Sequence, residues 1–109
     1  MTIKAEEDLT IVCASHNGVN RIPLFLDSIQ KNIVNPKEVI ICGTHESDIS
    51  SVSEELLIKN NVSFIVSEFA NQIYQRNVAL SKVNTAYILQ LDDDLILDNN
   101  VIGDYCRHF

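Results

Sequence analysis

Three consecutive carboxylates, Asp92, Asp93 and Asp94, interrupt an otherwise apolar segment, AYILQLDDDLIL at 86–97. Like charges set side by side repel, and the repulsion grows near a low-dielectric core. A chain keeps such a cluster where solvent or a cation offsets it. Carboxylate oxygens are hard donors, suited to magnesium or manganese, which often take one or two carboxylates plus phosphate oxygens. Alternate residues of an extended segment share a side. Asp92 and Asp94 can therefore face one metal–phosphate complex while Asp93 serves a ligand from another direction. The competing reading is a solvated turn or a helix cap, with Asp98 the better cap for a following helix.

The elements that must position these carboxylates are legible in the hydropathy pattern. LTIVCA (9–14) reads as a buried strand ending in a turn, Ser15-His16-Asn17-Gly18. Ile22, Phe25, Leu26, Ile29 and Ile33 share one helical face, with Pro23 in the first turn and Asn35-Pro36 as the stop. EVIIC (38–42) is a second strand. Ile49, Val52, Leu56 and Leu57 predict a second helix capped by Ser47 or Asp48. VSFIV (62–66) is a third strand, and a helix from Asn71 or Gln72 is expected to bury Ile73, Ala79, Leu80 and Val83. A fourth strand at 86–91 precedes the acidic triplet, and a last helix is expected over 99–105. Strands alternating with helices predict an α/β fold: a mainly parallel sheet with helices on both faces, in βαβαβαβ order. Ligands of such sheets gather at the C-terminal strand ends. The turn at 15–18, the segment 43–46 and the triplet at 92–94 all fall there.

With 109 residues, the chain suits a single domain over 1–109, its first eight residues a loose lead-in. A net charge of −7 argues against nucleic acid as the main partner. No apolar run reaches the roughly 18 residues of a membrane helix, and no signal segment opens the chain. Cys13, Cys42 and Cys106 read as small buried hydrophobes in a reducing compartment, and they show no zinc-type spacing with the three histidines. CRHF (106–109) is a poor prenylation box, and NVS at Asn61 opens a strand, where a glycan acceptor is out of place.

The motifs taken in order resemble the N-terminal, nucleotide-sugar-binding half of a family 2 glycosyltransferase with the GT-A (Rossmann-like) fold. The residues carrying the resemblance are IVCASHNGVNRIPLFLDSI, LDSIQKN, EVIICGTHESD, YQRNVAL and LQLDDDLIL, spread over nearly the whole chain. The resemblance implies transfer of a sugar from a nucleoside-diphosphate sugar to a glycan or lipid-linked acceptor, with inversion, in polysaccharide biosynthesis. It implies Mn2+ or Mg2+ held on the donor diphosphate by Asp94 with Asp92. Asp92 and Asp93 would serve the ribose and donor sugar, Arg76 would lie near the donor, and Ser15, His16 and Asn17 would lie against the nucleoside. His16 stands where an aromatic is common, and either stacks on a base or fills the turn. The cation would stabilise charge developing on the departing diphosphate.

Two departures qualify that expectation. Members often carry a base-reading Asp directly after the second strand, where this chain has Cys42 and Gly43, and Asp48 comes late as a substitute. The chain ends soon after the Asp-x-Asp strand, so the catalytic base is expected beyond Phe109, and this half is expected to bind without turnover. The resemblance also implies a cytoplasmic site, peripheral to the membrane, and self-association through the surface an absent half would cover. Two other readings compete. A non-catalytic GT-A-like binding or assembly module explains the lost base-reading Asp. An Asp-x-Asp phosphatase is disfavoured by the three strands that precede the triplet, and a receiver domain by the lack of a separated acidic pair and a strand-end Lys.

Overall fold

The computed structural model describes residues 3–107. Four strands form one all-parallel sheet: β1 (Leu9–Ala14), β2 (Glu38–Gly43), β3 (Val62–Val66) and β4 (Tyr87–Gln90). Their order is β3-β2-β1-β4. The chain steps outward from β1 through β2 to β3, then returns to lay β4 against the other side of β1. That reversal leaves a crevice at the C-terminal ends of β1 and β4, the place where open α/β sheets hold ligands.

β1 and β2 lie in the middle and read as continuous apolar runs because both faces are covered. Leu9, Ile11, Cys13, Val39 and Ile41 point to one core, and Val12, Ile40 and Cys42 to the other. The first core takes α1 (Ala5–Asp8), α2 (Ile22–Gln30) and α5 (Val101–Arg107), with α3 (Glu54–Lys59) at its margin; the second takes α4 (Gln72–Leu80). The expected helices on both faces are present. β3 and β4 are edge strands, half covered, with Ile88 exposed and Leu89 packed on the core.

Four local expectations change. Over 3–8 the lead-in is not loose: Ile3 and Ala5 are buried, and Ala5–Asp8 make a helical turn against β1 and α5. The helical stripe was read too far, because α2 ends at Gln30 and Ile33 is exposed. The segment expected as one second helix is two elements, a 3-10 turn (Glu46–Ile49) and α3, and Ser53 caps α3 by accepting from Leu56 N at 3.2 Å. Ser53 wins over Ser47 and Asp48 because its hydroxyl meets the backbone N–H three residues on. In α4, Ile73 is exposed and Gln75 is buried instead. The cap at Asn71 holds, accepting from Tyr74 N at 3.0 Å.

Asn32 ties α5 to the rest, accepting from Ile102 N at 3.1 Å and donating to Ser28 O at 3.0 Å. All three cysteines are free and buried, Cys106 on α5. The remainder of the CRHF segment, His108 and Phe109, lies outside the described residues. No described helix is long and apolar enough to cross a membrane.

Candidate functional site

The ends of β1 and β4 are joined by one carboxylate. Asp93 accepts from Ser15 Oγ at 2.5 Å, from Arg21 Nε at 3.1 Å and from Arg21 Nη2 at 3.2 Å. The same Nη2 also donates to His16 O at 2.8 Å. Arg21 therefore fastens the turn after β1 to the loop after β4. The turn is built for close approach. Asn17 has φ 53°, a left-handed conformation that Asn tolerates. A Cβ at Gly18 would stand 2.1 Å from Ser15 Oγ and 2.7 Å from Asp93 Oδ2, so glycine alone leaves room for their bond.

Behind the turn, Gln75 is buried and donates through Nε2 to Ser15 O at 2.7 Å and Cys42 O at 2.8 Å. One side chain of α4 thus holds the ends of β1 and β2 in register. Ser15, His16, Arg21, Gln75 and Asp93, with Ala70 and Gln72 at the start of α4, line a cavity of about 330 Å³.

The three acidic residues have three different surroundings. Asp93 is turned in and consumed by Ser15 and Arg21, its side chain 12% exposed. Asp92 is outward and meets Arg76 Nη2 at 3.4 Å, a long contact between two wet groups. Asp94 is exposed and makes no hydrogen bond or ion pair with any other described residue. It lines a shallow cleft with Arg21, Asp93, Leu24, Leu95 and Ile96. The ion pair with Asp93 and the field of Asp94 raise the affinity of Arg21 for its proton.

Among the described residues, no three His, Cys, Asp or Glu side chains are grouped to hold a metal ion. The donor set is two outward carboxylates, Asp94 and Asp92, the second sharing an oxygen with Arg76. That fits a hard divalent cation completed by phosphate oxygens and water, and does not fit a self-contained metal centre.

His16 lies on the cavity wall with both ring nitrogens engaged: Nε2 is 3.2 Å from Asn17 Nδ2, and Nδ1 is 3.4 Å from Thr44 Oγ1. The Asn17 amide is a donor, so His16 Nε2 accepts and its Nδ1–H donates to Thr44. The Thr44 hydroxyl then donates to His45 Nδ1 at 3.1 Å. With its edge occupied, the His16 ring can offer its face. Asp48, the late acid after β2, is buried and accepts from Thr44 N and His45 N, both at 3.3 Å. It does not face the cavity.

Of the residues singled out in the sequence, Ser15, His16 and Asp93 share the cavity, Asn17 flanks it, Asp92 and Arg76 meet beside it, and Asp94 stands at the adjoining cleft. Arg21, Gln75 and Thr44 were not foreseen. Arg21 had a signal: a cation at a helix start opposes the helix dipole and calls for an acid partner. Gln75 had another: it precedes the buried Ala79 by one helical turn, a polar residue on an apolar face.

Comparison with known proteins bears on the fold. No family model matches the chain. Over 105 residues it is 30% identical to a teichoic acid poly(glycerol phosphate) polymerase of Staphylococcus epidermidis, matching 93% of this chain and 15% of that protein. The crystal structure of S. aureus TarS 1-349 superposes with a TM-score of 0.79 at 21% identity, covering 92% of this chain and 31% of that one. The complex of TarS 1-349 with UDP-GlcNAc gives 0.73 at 21% identity over 92% and 30%. This chain spans less than a third of each. The match to TarS shows the fold, a four-stranded parallel α/β sheet of the GT-A type.

Proposed function

We propose that this chain is the donor-binding part of a glycosyltransferase, taking a nucleoside-diphosphate sugar in the cavity between the ends of β1 and β4. The observation that carries the reading is the cavity at the sheet's switch point, with Asp94 in the adjoining cleft as a carboxylate that has no hydrogen-bond or ion-pair partner among the described residues. The relatives support the class: one is named for a teichoic acid polymerase, and TarS is seen with UDP-GlcNAc. Ser15, His16 and Asn17 would face the nucleoside. Asp94 and Asp92 would hold Mn2+ or Mg2+ against the diphosphate, which supplies charge neutralisation as the leaving group departs. Asp93 would act mainly by holding Ser15 and Arg21, leaving sugar contacts to Asp92. Inversion, a glycan or lipid-linked acceptor, a cytoplasmic place near the membrane and self-association through the open sheet edges belong to the same proposal. The base for the acceptor hydroxyl would come from outside these 109 residues.

A second reading, a non-catalytic module, is favoured by one feature: the acid after β2 is spent on its own backbone. Calorimetric titration with UDP, GDP, CDP and dTDP, each with manganese and with EDTA, separates the two. Donor binding predicts metal-dependent uptake of at least one nucleotide, lost in Asp94→Ala. A folded chain that takes up none of the four belongs to the second reading.

A further inference from the structure

Arg21 is the cation of the cavity to which the resemblance assigns no role. A guanidinium has five N–H donors. Three are used here: Nε and one Nη2 hydrogen on Asp93, the other Nη2 hydrogen on His16 O. The two on Nη1 have no partner among the described residues. The side chain is 43% exposed and lines both the cavity and the cleft that holds Asp94.

We propose that Arg21 is an anion-binding residue of this site, contacting a phosphate oxygen of the donor through Nη1 while Asp93 holds the guanidinium in place. The inference rests on the donor reading above. A planar fork fixed on one edge by a carboxylate keeps its other edge oriented, so little side-chain freedom remains to be lost on binding. The ion pair also removes an obstacle. Asp93 alone on the cavity wall would repel a diphosphate; paired, it adds no net charge and leaves two donors facing outward. Arg76 is held differently, by a single 3.4 Å contact. A cation on Asp94 and the Arg21 fork would flank the same opening, so one phosphate group can meet both.

Titration of the chain with inorganic pyrophosphate, with whichever nucleoside diphosphate binds, and with its parent nucleoside tests this, in manganese and in EDTA. Arg21→Gln is expected to weaken pyrophosphate and the diphosphate by about tenfold in manganese and to leave the nucleoside unchanged. Arg21→Lys, which keeps the charge without the fork, is expected to fall between. Unchanged diphosphate affinity in Arg21→Gln would overturn the assignment. So would equal weakening of nucleoside and diphosphate, which marks a brace of the turn and nothing more. If Arg21→Gln does not fold, Arg21→Lys decides: weaker diphosphate with unchanged nucleoside supports the assignment, and unchanged diphosphate overturns it. An unsubstituted chain that takes up no nucleoside diphosphate removes the donor reading and this assignment together, whereas the other adverse results remove the assignment alone.

Discussion

The loops after β2 and β4 both carry acids at the ligand edge of one sheet, and they use them in opposite ways. After β2, Asp48 folds back and satisfies the backbone N–H groups of Thr44 and His45, leaving the Thr44 hydroxyl and the His45 imidazole on the surface. After β4, one acid of the triplet is spent on holding the loop, one is half engaged by Arg76, and Asp94 has no hydrogen-bond or ion-pair partner among the described residues. The difference follows from spacing. Asp48, separated from Glu46 by one residue, lies next to open backbone donors and gains most by bonding them. Three adjacent acids cannot all turn inward, so the surplus charge faces solvent and is available to a cation. The loop after β2 supports the fold; under the proposed function the loop after β4 would serve a ligand.

The contrast can be broken or sharpened by substitution. The largest effect is expected at the brace that holds the ends of β1 and β2. Gln75→Leu leaves the buried Ser15 carbonyl without its side-chain donor and should cost about 3 kcal/mol of stability, read by denaturant unfolding. Asp94→Ala should lower metal-supported nucleotide affinity about 100-fold, near 2.7 kcal/mol, while the melting temperature stays unchanged. Asp48→Ala should do the reverse, costing about 2 kcal/mol of stability and leaving metal dependence intact. If Asp48→Ala abolished metal-dependent binding without lowering stability, the two loops would have exchanged roles and the comparison would fail.

The smallest effect concerns the thiols beneath the loops. Burial pushes both Cys13 and Cys42 above the ordinary thiol value of 9.0, Cys13 far above it, with the nearby Asp93 and Asp92 adding to the effect of burial there. A group whose pKa is raised by folding contributes stability that is present below its unfolded pKa and lost as pH climbs past it. Stability should therefore hold through neutral pH and decline above about pH 9, with iodoacetamide labelling of Cys13 and Cys42 appearing only as the protein unfolds.

Much of this arrangement was legible in the sequence because it depends on periodicity and order. Continuous apolar strands alternating with helical stripes required a parallel sheet, and a parallel sheet sends its loops to one edge. Hence the turn at 15–18 and the acids at 92–94 were expected together, and they meet. The misreadings are local competitions. Ile33 fits the helical spacing of α2, but the chain leaves the helix before reaching it. Ile73 fits the stripe of α4, yet Gln75 takes the inward position because two strand-end carbonyls lie beneath it.

The sequence by itself therefore determined the kind of protein: the layer order, the ligand edge and the presence of surplus acid there, since those follow from spacing of two and near four residues along the chain. The tertiary structure alone decided which acid does what. Ser15 and Arg21 are 78 and 72 residues from Asp93, and only the return of β4 to the side of β1 brings them within hydrogen-bonding distance. Side chains that far apart obey no period, so the division of labour among Asp92, Asp93 and Asp94 appears only when the sheet is assembled.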